Sequence, residues 1–309
     1  MKKDFLTLQD YSREEILALI KLTEAMKKNP RKYQGIASGK VMLLIFQKPS
    51  TRTRVSLETA MAHLGGYSIF LMESHAQLSR GETVEDTARV VGRYVDIIAA
   101  RVFEQKFVET LAKYSNKPVI NALSDKFHPC QILSDLFTIL EHKGKLEGLK
   151  LAYVGDGNNV CNSLLIGCSK VGMDITVASP KGYEPPSDVV QTALENAKKS
   201  GSKVEILNDP ITAVRDADVV YTDTWVSMGQ EAEANIRVKV FKPYQVNAEL
   251  LSHAPDDVVV MHCLPAHRGY EITDDVMDGP NSIIFDQAEN RMHSGKAIIA
   301  YLLGLVRLP

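Results

Sequence analysis

Short apolar runs rich in β-branched residues recur along the chain, and most are followed by a polar stretch and a segment of helical spacing. In the first half the runs are 41–46 (VMLLIF), 67–72 (YSIFLM), 96–102 (DIIAARV) and 118–123 (PVINAL). In the second half they are 150–156 (KLAYVGD), 174–180 (DITVASP), 203–207 (KVEIL), 218–224 (DVVYTDT), 258–264 (VVVMHCL) and 282–286 (SIIFD). Runs apolar on both faces suit strands covered by helices. Helices are predicted over Arg54–Leu64, Val84–Tyr94, Ile132–His142 and Ser187–Lys199, with a last one over Lys296–Leu305. Strand–helix alternation of this kind predicts an α/β fold with parallel sheets flanked by helices.

The best boundary is the charged, glycine-containing stretch 142–150 (HKGKLEGLK), which lies between a predicted helix and a predicted strand. It predicts an N-terminal domain over 1–142 and a C-terminal domain over 143–294, with the helix at about 295–309 free to pack back onto the first. A length of 309 residues suits two domains. The active site is expected in the interdomain cleft, a natural place to bury a small substrate.

Composition narrows the class. Hydrophobic residues make up 45% and charged residues 24%, as in an ordinary globular protein. Thirty-six basic against 38 acidic residues leave a net charge of −2, which offers no general attraction for nucleic acid. No apolar run approaches the ~20 residues needed to span a bilayer. The start, MKKDFLTLQDYSREEI, lacks the apolar core of a signal peptide, so a cytoplasmic location is expected. Cys130, Cys161, Cys168 and Cys263 form no CxxC pair, which argues against a disulfide framework and a zinc knuckle. Cys161 and Cys168 read as small buried apolar residues.

In open α/β sheets ligands bind beyond the carboxyl ends of the strands, so the chemistry is sought there. After the first run come Ser50, Thr51, Arg52, Thr53 and Arg54, opening a helix. Ser50 suits an N-cap, and free amides at a helix start attract anions. Hydroxyls and guanidinium groups together favour anion binding over a merely capped helix with solvated arginines. Without GxxxxGK[ST] this is no nucleotide P-loop. Arg101 ends the third run, either paired structurally or aimed at a ligand. His128-Pro129-Cys130-Gln131 opens another helix. His128 and Gln131, three apart, suit a polar carbonyl with its NH2 group, although a lone histidine there is more often a cap.

Gly155-Asp156-Gly157-Asn158-Asn159 resembles a dinucleotide fingerprint without its third glycine, and no acidic residue ends the next strand. A dinucleotide-dependent oxidoreductase is therefore the weaker reading, and the asparagines offer amides to a polar ligand. Asp223, before a loop with the only tryptophan, Trp225, suits an ammonium group or an Asp-initiated turn. Cys263 follows His262 on a strand, where neighbours point to opposite faces, so the pair does not by itself support a Cys–His hydrolase. Arg291, after the last run, is a third candidate anion ligand.

Together these segments resemble one family over nearly the whole chain. Ser50-Thr51-Arg52-Thr53-Arg54, His128-Pro129-Cys130-Gln131, Asp223 with Ser227-Met228-Gly229, His262-Cys263-Leu264-Pro265 and Glu289-Asn290-Arg291 are similar, in order, to the motifs of ornithine carbamoyltransferases. The first motif is shared with aspartate carbamoyltransferases; the SMG loop and the HCLP motif discriminate. The resemblance implies that Ser50, Thr51, Arg52 and Thr53 bind the phosphate of carbamoyl phosphate, with Gln77 reaching it in the same or a neighbouring subunit. It implies that Arg101, His128 and Gln131 hold the carbamoyl end and that Arg291 touches the same substrate. Asn159, Asp223, Ser227 and Met228 would grip the amino-acid end of L-ornithine, with Cys263 and Leu264 near its side-chain amine.

Arg52, Arg101, His128 and Cys263 are then the candidate catalytic residues. The chemistry requires no metal and no organic cofactor. A homotrimer or an assembly of trimers is implied. Rival readings are an acceptor such as putrescine, which lacks partners for Asp223 and Asn159, and a non-catalytic relative, against which the retained motifs argue.

Overall fold

Among the described residues, 2–226 and 230–308, the computed structural model contains nine strands in two all-parallel sheets. The first sheet comprises β1 (Val41–Phe46), β2 (Tyr67–Met72), β3 (Ile97–Arg101) and β4 (Val119–Leu123), in the order β2-β1-β3-β4. The second comprises β5 (Lys150–Val154), β6 (Asp174–Ala178), β7 (Val204–Leu207), β8 (Val219–Thr222) and β9 (Val259–His262), in the order β7-β6-β5-β8-β9. The α/β class expected from strand–helix alternation is what forms.

The chain makes two compact units, Met1–Phe137 with Glu289–Pro309, and Thr138–Ala288. Their boundaries fall inside the helices Pro129–Lys143 and Ile284–Leu302 rather than in the charged stretch after His142. In the first unit Leu43, Ile45, Ile98 and Ala100 pack with Val108 and Leu111 of the helix Gln105–Tyr114. In the second, Val154, Val220 and Val260 pack with Val214, Tyr244 and Ile272. β2 departs from the expectation of a strand covered on both faces: it is an edge strand, and Tyr67 and Ile69 are exposed.

The run 282–286 is not a strand. Ser282 makes one isolated parallel bridge to Val260, and Ile284 opens the helix Ile284–Leu302. From Ile284 the buried positions follow a helical spacing, Ile284, Gln287, Asn290, Arg291 and Ser294. Four of those five side chains are polar, so no hydrophobic stripe marks the first half of this helix.

Both sheets place a reversal of strand order where it matters. In the first, the chain runs outward from β1 to β2, and from β3 to β4 on the other side. In the second it runs from β5 to β7 one way and from β8 to β9 the other. The segments after β1 and β3, and after β5 and β8, therefore leave adjacent strands at a topological switch point, where open α/β sheets bind ligands.

Candidate functional site

The switch point of the first unit gathers cationic and hydroxyl groups. Ser50 caps the helix Thr51–His63, its hydroxyl accepting from the Thr53 N–H at 3.2 Å. Thr53 is buried, and its Oγ1 accepts from Arg101 Nη1 at 3.3 Å and from Arg291 Nη2 at 3.5 Å. Arg291 Nη1 also donates to Gln131 Oε1, and Gln131 Nε2 donates to buried Asp135 at 2.8 Å. No sequence motif marks Asp135, which lies one helical turn after Gln131 and fixes which way the amide faces.

Thr53, Arg101, Gln131 and Arg291, drawn from four separate segments, thus form one bonded network. Arg52, on the first turn of the same helix, is half-buried. Arg54 is turned elsewhere: it pairs with Glu58 at 3.1 Å and its guanidinium lies 3.7 Å from the centre of the Phe70 ring. Of the two arginines in the motif, Arg54 is the solvated ion pair. Gln77 is exposed on the short turn Gln77–Arg80, and its side chain makes no hydrogen bond among the described residues.

His128 precedes Pro129, the first residue of the helix Pro129–Lys143, and its carbonyl accepts from the Gln131 N–H at 3.1 Å. The side chain is only 4% exposed. Burial holds its imidazole well below the ordinary histidine range, and the charges of Arg291 and Arg101 push the same way. A neutral imidazole offers one N–H donor. Cys130 behaves differently from a nucleophile: burial pushes its thiol up to about 12.

The switch point of the second unit is anionic. Asp223 follows β8 and is 5% exposed. Its Oδ2 accepts from Asn158 Nδ2 at 2.8 Å; its Oδ1 accepts from Cys263 Sγ at 3.0 Å and from the Thr224 N–H at 2.8 Å. It forms no ion pair among the described residues. Asn158 also caps the helix Asn159–Val171, its Oδ1 accepting from the N–H groups of Val160 and Cys161. Asn159, the first residue of that helix, is half-buried beside this cap. In the sequence Asn158 reads only as a generic amide, because an N-cap and a carboxylate partner look alike there. Ser227 and Met228 lie outside the described residues.

The turn after β9 is braced from behind. His262 Nδ1 accepts from the Leu264 N–H at 2.8 Å, and its Nε2 lies 3.1 Å from the fully buried Glu271. Leu264 is thereby held at φ 59°, a conformation an L-residue adopts at a cost of ~1–2 kcal/mol. Asp223, His262 and Cys263 bring ligand atoms within 4.8 Å of one another. Both ring nitrogens of His262 are already committed, so metal coordination there would require breaking the Leu264 or the Glu271 contact. Cys161 and Cys168 are buried on the helix Asn159–Val171, and burial raises the Cys161 thiol well above its ordinary value.

No helix among the described residues is long and apolar enough to cross a membrane. Residues 3–141 match the family described as the aspartate/ornithine carbamoyltransferase carbamoyl-P binding domain. Residues 147–302 match its Asp/Orn binding domain. The chain is 56% identical over 307 residues to the ornithine carbamoyltransferase of Pyrococcus horikoshii, covering 99% of this chain and 97% of that one. It is 55% identical over 307 residues to one from Pyrococcus furiosus named anabolic, covering 99% and 98%. A solved ornithine carbamoyltransferase structure from P. furiosus superposes with a TM-score of 0.95 at 55% identity, covering 99% of this chain and 98% of that one.

Proposed function

Because the chain belongs to the aspartate/ornithine carbamoyltransferase family, we infer that it is a transferase that moves the carbamoyl group of carbamoyl phosphate to the δ-amine of L-ornithine, giving L-citrulline and phosphate. The choice of acceptor is carried by the ornithine carbamoyltransferase relatives at 55–56% identity; within the site Asp223, a carboxylate 5% exposed and without an ion pair among the described residues, supports an acceptor that brings a cation. A buried charge of that kind is costly unless a cation meets it. Ornithine brings an α-ammonium group to meet it; putrescine, which is ornithine without its carboxylate, brings an ammonium too but leaves the neighbouring Asn159 without a carboxylate to bind.

In this reading the first unit binds carbamoyl phosphate. Ser50, Thr51, Arg52 and Thr53 hold the phosphate, with the helix amides adding to the attraction. Arg101, His128 and Gln131 hold the carbamoyl group, and Arg291 orders Gln131 and Thr53 around it. Gln77 reaches phosphate in the same or a neighbouring copy, which accords with its exposure and its lack of a side-chain hydrogen bond among the described residues. The second unit binds ornithine through Asn159, Asp223, Ser227 and Met228, with Cys263 and Leu264 near the reacting amine.

The neutral amine attacks the carbamoyl carbon and forms the new N–C bond; the C–O bond to phosphate then breaks, and the proton the amine gives up leaves on the phosphate. Charge builds first on the carbonyl oxygen, opposite Arg101, Thr53 and the neutral N–H donor of His128. It then builds on the departing phosphate, opposite Arg52. Preorganised donors of this type contribute ~10²–10³ in rate each.

We further propose that the enzyme acts in the biosynthetic direction toward arginine, in the cytoplasm, as a homotrimer or an assembly of trimers. The name of the P. furiosus relative supports the direction. Sedimentation should report a mass that is a multiple of three chains. The binding test uses a bisubstrate analogue joining a phosphonate to ornithine. It should raise the melting temperature, because a ligand that binds only the native state stabilises it. Stabilisation by the aspartate counterpart instead would reject ornithine as acceptor.

A further inference from the structure

Arg237 has no part in the proposed chemistry, yet it is among the most thoroughly enclosed cations in the molecule. It sits on the helix Ala234–Phe241 with 3% exposure. Its Nη2 donates to Asp156 Oδ2 at 2.6 Å, and its Nε donates to the Trp225 carbonyl at 2.7 Å. The guanidinium plane is enclosed by rings, 4.9 Å from the centre of Tyr183 and 5.4 Å from that of Phe241. Asp156 is itself only 6% exposed.

The two groups Arg237 holds are not random. Asp156 lies two residues before Asn158, in the segment that leaves β5; Trp225 lies two residues after Asp223, in the segment that leaves β8. Those segments meet through the 2.8 Å bond from Asn158 to Asp223. One guanidinium therefore fastens, from behind, both segments that carry this bond. The fork of a guanidinium permits this; a lysine ammonium, a single point of charge on a flexible stem, cannot match both directions at once.

Charge makes the same point. Asp156 and Asp223 are both buried carboxylates, and the charge of Asp223 acts unfavourably on Asp156. Arg237 neutralises Asp156 and leaves Asp223 as the carboxylate without a cationic partner among the described residues.

We propose that Arg237 is a positioning residue for the amino-acid end of the acceptor substrate: it fixes the Asn158–Asp223 pair and neutralises Asp156, so that Asp223 alone presents charge to the substrate ammonium. This rests on the assignment of Asp223 to ornithine. Arg237 touches neither substrate in this account and acts only through the two segments it holds.

The experiment is steady-state kinetics on R237M, R237K, D156N and the double variant R237M/D156N of the full chain, with both substrates varied. L-Norvaline, which has the amino-acid end of ornithine but no side-chain amine, serves as a competitive probe. R237M should raise the KM for ornithine and the inhibition constant of norvaline together by tenfold or more, with the KM for carbamoyl phosphate within twofold of the parent. R237K should fall between R237M and the parent. Removing the second carboxylate charge should recover at least threefold of the lost ornithine affinity in R237M/D156N.

Equal effects on both substrates, or an unchanged ornithine KM in R237M, would overturn the proposal. If R237M does not fold, R237K carries the test: parent-like constants for ornithine and norvaline in that variant would overturn it equally. Failure of the functional assignment itself is distinguishable, because the parent protein would then form no citrulline at all.

Discussion

Cys263 donates its thiol hydrogen to Oδ1 of Asp223 over 3.0 Å, joining the ends of two adjacent strands across 40 positions of sequence. This bond gives the cysteine a role that does not require it to be a nucleophile. It orders a buried carboxylate that also receives Asn158 and the Thr224 N–H. A hydrogen bond to a charged group is worth ~1.5–3 kcal/mol, or roughly 10–100-fold. C263A should therefore lower kcat/KM for ornithine by about that factor, whereas C263S, which keeps a donor, should stay within about tenfold of the parent. Parent-like activity in C263A would remove the bond from the account.

Arg52 tests the phosphate half. R52A should reduce kcat/KM for carbamoyl phosphate by ~10²–10³ or more while the melting temperature stays close to that of the parent, because the side chain is half-buried and lies outside both cores. R54A is the control: Arg54 is engaged with Glu58 and Phe70 at the surface, and its removal should leave turnover within a few-fold of the parent. Equal losses in the two variants would contradict the division of labour between the arginines.

The buried neutral His128 makes a prediction about pH and stability. Its folded value lies well below the ordinary ~6.5 of the unfolded chain, so below that pH the unfolded state binds a proton that the folded state refuses. The stability it confers is fully present above ~6.5 and is lost as pH falls toward the folded value, at up to roughly 1.4 kcal/mol per pH unit for one proton. His293, also lowered chiefly by burial, contributes with the same sign. Denaturant midpoints between pH 7 and 5 should decline in the parent and decline less steeply in H128Q. An identical slope in the two proteins would show that His128 is not the group responsible.

Gly157 tests how tightly the segment after β5 is set. A Cβ there would lie closer than 3.0 Å to backbone atoms of Glu184 and Pro185, so the backbone rather than a flexible side chain must give way. G157A should destabilise the protein by ~1–3 kcal/mol, as overpacking does, and should raise the KM for ornithine by displacing the neighbouring Asn158. Unfolding curves and steady-state kinetics read the two effects separately.

These tests also mark what was legible in the sequence. Buried parallel strands are written as apolar runs, so β1, β3, β5 and β8 stand out, and with them the segments that follow. Caps such as Ser50 are local and can be read from a residue and its neighbours. The first half of the helix Ile284–Leu302 was not legible, because its buried face is Gln287, Asn290 and Arg291 rather than an apolar stripe. Partnerships across long stretches of chain were not legible either. Nothing local says that Arg291 donates to Gln131, that Asn158 meets Asp223, or that Arg237 anchors Asp156. The same limit applies to Arg54, whose spacing to Glu58 suggests an ion pair but whose place in the motif suggests a ligand.

The most direct measurement is product formation by the purified protein with carbamoyl phosphate and, in parallel, ornithine, putrescine or aspartate as acceptor. The account predicts citrulline and phosphate in equal amounts from ornithine, with turnover of the other two acceptors lower by orders of magnitude. Carbamoylation of putrescine or aspartate with none of ornithine would contradict it.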